Sequence, residues 1–133
     1  MSDPILQMIG QSKWVNQNRS TFQSFDITST DDTVIKGNFY INATTTATYP
    51  MVGQVATTPA QKGYYPVAWT VLWNNPVGQG PTVNATTSWS GYIYIVDQTP
   101  YMKVGWVYTP DYPQDTVDPA ARIGRDIFMQ QLR

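Results

Sequence analysis

The stretch Val67-Ala68-Trp69-Thr70-Val71-Leu72-Trp73-Asn74-Asn75 decides the fold. It is rich in β-branched and aromatic residues and contains no glycine. Pro66 precedes it and Asn74-Asn75-Pro76 stops it, so it reads as a strand. Its period is two: Trp69, Val71 and Trp73 share one face, and Ala68, Thr70 and Leu72 share the other. Two indoles on one face make a wall too large to leave in water, so that face turns inward. Trp89 and Trp106 lie in similar runs downstream, and these walls are expected to meet around a small ligand.

The rest of the composition agrees with a β protein. The chain has 133 residues, enough for one domain with a single core. Glu is absent, Leu occurs only at Leu6, Leu72 and Leu132, and Thr is abundant, so strong helix formers are scarce. A net charge of −1 gives no electrostatic case for nucleic acid. With no Cys, a disulfide, a thiol nucleophile and a Cys metal site are all excluded. With no His, the usual general base and the commonest metal ligand are missing too. No apolar run reaches the length of a membrane-spanning helix. Met1 to Gly10 carries no basic segment and no long apolar core, so the expectation is an intracellular chain or a processed secreted form.

In chain order, residues 1–12 read as an N-terminal tail or short amphipathic helix, and 13–133 as the β domain. Pro4 suits a first helical turn, Gly10 can end it, and Ile5, Met8 and Ile9 would face inward. Strands are expected at Lys13–Gln17, Thr21–Ile27, Thr33–Asn42 and Tyr49–Thr57, then at the Trp69/Trp73 stretch. Thr82–Val96, Tyr101–Tyr108 and Ile123–Leu132 complete the set, and Gly37 is read as a possible bulge. About eight strands with hairpin-length connections fit a sandwich or an up-and-down barrel. An eight-stranded barrel has room for side chains or for one small ligand.

Catalysis finds little support. Every acidic residue is Asp, and most lie in turns: Asp31, Asp32, Asp97, Asp111, Asp115 and Asp118. Serines lack a His partner, and no metal-ligand spacing occurs. Trp73, Trp89 and Trp106 can either fill the barrel or wall a site, and spacing alone leaves both open.

Five segments, in order, resemble the avidin and streptavidin family of biotin-binding barrels over roughly residues 12–130. Lys13-Trp14-Val15-Asn16-Gln17-Asn18-Arg19-Ser20-Thr21 is similar to its opening strand and turn, and Tyr49-Pro50-Met51-Val52-Gly53-Gln54-Val55 to its fourth strand. Trp69 to Asn75 resembles its central Trp strand, and Ala85-Thr86-Thr87-Ser88-Trp89-Ser90-Gly91-Tyr92 its Thr-Thr-Trp-Ser-Gly strand. Trp106 and Gly124-Arg125-Asp126-Ile127-Phe128 resemble the late Trp and the closing Gly-x-Asp-x-Phe.

The resemblance implies an all-β, eight-stranded antiparallel up-and-down barrel that binds biotin, is not an enzyme, needs no cofactor and self-associates as a dimer or tetramer. It further implies that Asn16, Ser20 and Tyr40 donate to the ureido oxygen. Asp126 and Asn42 would take the ureido N–H groups, and Thr87 would touch the ring sulfur. Trp73, Trp89 and Trp106 would box the rings and tail, and Asp126 would also hold Asn16 in place. Tyr40 and Asn42 take these roles only if one extra residue is accommodated near Gly37. Without it, Phe39 and Ile41 fall at the two positions. Gln23-Ser24 is an insertion relative to the family, and Ala85 stands where streptavidin has a carboxylate-binding Ser. No Trp lies between Trp106 and Asp126, where many members lend one to a neighbouring subunit; Asp118 falls there. The rival readings are the same barrel binding another small ligand such as a sugar, and a glycosidase-like enzyme.

Overall fold

The structure is a computed structural model that describes residues 4–17, 23–41, 47–58, 63–110 and 122–131. A short helix α1 (Pro4–Ile9) precedes strands β1 (Ser12–Asn16), β2 (Ser24–Asp31), β3 (Val34–Tyr40) and β4 (Tyr49–Val55). β5 (Tyr65–Leu72), β6 (Thr86–Val96), β7 (Thr99–Thr109) and β8 (Arg122–Gln131) follow. Each strand pairs antiparallel with the next, and β1 pairs with β8, so the sheet closes as an up-and-down barrel without edges.

The period-two patterns set which residues fill it. In β5, Val67, Trp69 and Val71 are buried while Ala68, Thr70 and Leu72 are exposed. Registers bring the inward aromatics of neighbouring strands side by side: Trp14 opposes Phe25, Phe25 opposes Phe39, and Trp69 opposes Trp89. Phe25 is the hub, with its ring centroid 4.8 Å from Trp69, 5.0 Å from Phe128 and 6.0 Å from Trp14. These rings pack the half of the barrel where β1 begins and β8 ends.

α1 covers that end. Ile5 and Ile9 are buried in the core and Met8 packs against it, as the apolar spacing predicts. The Gly10 N–H donates to the Leu6 carbonyl at 3.0 Å, and the next residue, Gln11, has φ 51°, which ends the helix. The Ser12 hydroxyl donates to the Ile9 carbonyl and accepts the Trp14 indole N–H at 2.8 Å. Gln130 donates to the Met8 carbonyl at 2.8 Å, tying the helix to β8.

The structure corrects the sequence reading at four places, the first being β2, which runs on to Asp31 instead of ending at Ile27. The hairpin between β6 and β7 is only Asp97-Gln98, both at positive φ (49° and 69°), so pairing extends through Thr99 and Pro100. β6 starts at Thr86 rather than Thr82, because Pro81–Ala85 belongs to the preceding loop. The irregularity expected at Gly37 lies across from it: the β2–β3 register shifts between Ile27 and Ser29, leaving Thr28 as the extra residue. Gly37 itself pairs regularly with Ile27, and a Cβ there would lie 1.8 Å from the Asp26 carbonyl oxygen. Glycine serves close strand approach at this point.

Candidate functional site

Toward the other end, the inward faces diverge around a cavity of about 440 Å³. That volume lies in the range of small-ligand sites. The walls come from alternate residues of several strands: Trp73 beyond β5, Thr87 and Trp89 of β6, Trp106 and Tyr108 of β7, and Asp126 of β8. The sequence-predicted Trp73, Thr87, Trp89, Trp106 and Asp126 are therefore brought together.

The three wall tryptophans each have a packing or hydrogen-bond partner. Trp89 stacks on the buried Trp69 at 5.3 Å with 13° between planes, and meets Trp73 edge-on at 6.4 Å. The Trp73 indole N–H donates to the Thr87 hydroxyl at 2.9 Å, fixing both side chains. Trp106 lies over Gly124, its cross-strand partner; a Cβ at 124 would sit 2.3 Å from the indole ring. That contact is a physical reason for glycine two residues before Asp126.

Asp126 is 3 % exposed and is the only charged residue among the described lining residues. Asn16, equally buried, faces inward opposite Phe128, two residues along the same β8 face from Asp126. Its side-chain amide donates to the Gln23 side-chain oxygen at 3.4 Å, and its backbone N–H donates to the Gln23 carbonyl at 2.9 Å. Gln23 lines the cavity, so Asn16 and Gln23 form a linked polar corner next to Asp126. Ser20 and Asn42 lie outside the described residues.

Tyr40 is a correction. Phe39 and Ile41 take the inward positions: Phe39 is fully buried, with its ring 4.8 Å from Trp89 and 5.8 Å from Trp73, and Ile41 lines the cavity. Tyr40 points outward, donates to the Asp26 carboxylate at 2.9 Å, and lies under the Lys13 ammonium. The extra residue is absorbed in β2, so β3 never slips, and burying a phenyl ring needs no hydrogen-bond partner where a phenol would.

Five further lining residues escape the sequence reading, among them Tyr108, two residues beyond Trp106 on the same face of β7. Gln23 reads as an insertion in the sequence, although its place two residues before Phe25 puts it on the inner face. Tyr49 shares the inward alternation of Met51 in β4. Pro81 and Val83 stand on the β5–β6 loop, where no periodicity signals which side chains turn inward.

The arrangement offers rigid aromatic planes, one buried carboxylate, the hydroxyls of Thr87, Tyr49 and Tyr108, and a carboxamide. It suits retention of a compact, mostly apolar molecule carrying a few polar handles. A comparison with curated proteins gives no match. The family model described as "Avidin: Avidin family" matches residues 6–131. Among solved structures, apo shwanavidin is 21% identical, covers 92% of this chain and 98% of its own, and has a TM-score of 0.70. Rhizavidin, solved as a biotin complex, is 23% identical over 93% of each chain, with a TM-score of 0.67. A shwanavidin variant (F43A), also solved with biotin, is 20% identical over 92% and 96% of the two chains, with a TM-score of 0.68. At these identities the structures speak to the fold, while the matched family spans nearly the whole barrel: the chain belongs to the avidin family and is a binding protein rather than an enzyme.

Proposed function

We propose that the cavity binds biotin with high affinity and that the protein sequesters it. The observation that carries this reading is the cage of Trp73, Trp89 and Trp106 closed on one side by the buried Asp126. In this reading the indoles enclose the bicyclic ring and tail, and Asp126 accepts a ureido N–H. Asn16, steadied by Gln23, and Ser20 donate to the ureido oxygen, Asn42 takes the second ureido N–H, and Thr87 contacts the ring sulfur. Charge-assisted hydrogen bonds are stronger than neutral ones, and both strengthen where the ligand excludes water. Affinity rests on walls already in place before the ligand arrives.

The protein would act as a homo-oligomer. Val107 and Ile123 oppose each other across β7 and β8 on the outer face, and Ile123 is 78 % exposed. Leu72 and Val52 add to the exposed apolar surface on β5 and β4.

Biotin titration followed by tryptophan fluorescence, together with the mass of the native species, tests both statements. Quenching that saturates at one biotin per chain supports the site; unchanged fluorescence and no calorimetric heat sink it. A monomeric mass sinks the assembly.

One observation favours a second reading, the same cage holding another small ligand such as a sugar. Phe39 and Ile41 occupy β3 positions where the biotin reading expected polar groups. Competition calorimetry separates the two, since a sugar that binds and is not displaced by biotin supports the alternative.

A further inference from the structure

We infer that Tyr49 is a positioning residue that latches the β5–β6 loop across the cavity and so sets how long a ligand stays. This deepens the biotin reading above and rests on it for its ligand. Residues 73–85 leave the top of β5 and return to β6. Two of them, Pro81 and Val83, form cavity wall. A loop that is also a wall must be held, or the wall is soft.

The fastenings lie on and beside β4. The Tyr49 hydroxyl donates to the Pro81 carbonyl at 2.5 Å. Thr48 and Val77 exchange two backbone hydrogen bonds, at 3.0 and 2.7 Å, in an isolated antiparallel bridge. Gly80 sits so close that a Cβ would lie 2.6 Å from the Ala47 Cβ and 3.1 Å from the Tyr49 oxygen. The Tyr49 ring also meets Trp73 edge-on at 4.9 Å. One side chain thus packs on the central indole of the cage and pins the loop that continues from it. A phenol is already a donor at neutral pH, and burial raises the Tyr49 pKa further above its ordinary value of 10.0.

The base of the loop is closed by its own bonds: Trp73 N–H to Ala85 carbonyl at 2.9 Å and Val83 N–H to Trp73 carbonyl at 3.1 Å. Those bonds leave the tip, Pro76 to Pro81, dependent on β4. A ligand enclosed by the tryptophans leaves when this tip lifts, and lifting it requires the Tyr49–Pro81 bond to break.

The test is Tyr49→Phe, which keeps the ring and removes the donor. Stopped-flow measurement is expected to show biotin release accelerated about three- to tenfold, the worth of one hydrogen bond, with association unchanged. Amide exchange on the ligand-free protein is expected to speed up at Val77, and to remain unchanged at Trp69 in the core. Equal release rates, or equal changes in association and release, overturn the latch. The exchange arm stands apart from the ligand: if wild type does not bind biotin, the functional reading fails. Unchanged Val77 exchange in the variant would still overturn the latch.

Discussion

At the end of the barrel covered by α1, Trp14 stacks on Phe25, and Trp69 and Phe128 close around the same ring. At the other end, Trp73, Trp89 and Trp106 line a cavity of about 440 Å³. Both ends use large aromatics on inward positions, yet one is filled and the other hollow. Helix burial accounts for part of the difference: Ile5 and Ile9 supply apolar volume only at the closed end. Support accounts for the rest. Trp89 rests on Trp69, Trp73 is bonded to Thr87, and Trp106 lies on a glycine, so the rings keep their places without collapsing together. The closed end is the stability half of the molecule, and the open end spends packing on a cavity.

That division can be broken by mutation. Phe25→Ala at the closed end should cost about 3–5 kcal/mol of folding stability in urea denaturation, since the residue is fully buried among four rings. A loss below about 1 kcal/mol would mean the two ends are not distinct in this way. Trp106→Ala at the open end should weaken biotin binding by about 2–4 kcal/mol in calorimetry while the barrel stays folded. Unchanged affinity would remove Trp106 from the site.

Asp126→Asn keeps the shape and removes the charge, and should weaken binding by about 2 kcal/mol, the value of a charge-assisted hydrogen bond. Equal affinity in the variant would argue that the carboxylate only braces its neighbours. Tyr40→Phe is the control on the outer face. It should change stability by less than about 1 kcal/mol, because the Tyr40–Asp26 bond is partly exposed, and leave biotin affinity alone. A loss of affinity there would reopen the question of which β3 face looks inward.

Much of the fold was legible residue by residue. Alternation at Trp69-Val71-Trp73 and Trp89 named the inner faces, and Gly10 named the helix end. Of the site, the three wall tryptophans, Thr87 and Asp126 followed from strand position together with the family resemblance. Gln23, Tyr49, Pro81, Val83 and Tyr108 do not: Pro81 and Val83 come from a loop without periodicity, Gln23 reads as an insertion, and strand alternation alone does not tell a pocket-lining Tyr49 or Tyr108 from a packing one. Chemistry favours Tyr40 inside, and the β2–β3 register turns it outward.

What the sequence determined by itself is local: which segments are strands, which residues within each share a face, and where indoles recur. It could not determine where an extra residue is absorbed, since Thr28 in β2 or a position near Gly37 in β3 satisfies the same local pattern. Only the closed barrel decided that, because a one-residue slip reverses every side chain downstream and pairing on both edges of β3 tolerates one register. The hollow at one end is likewise a tertiary result, set by which rings find support behind them.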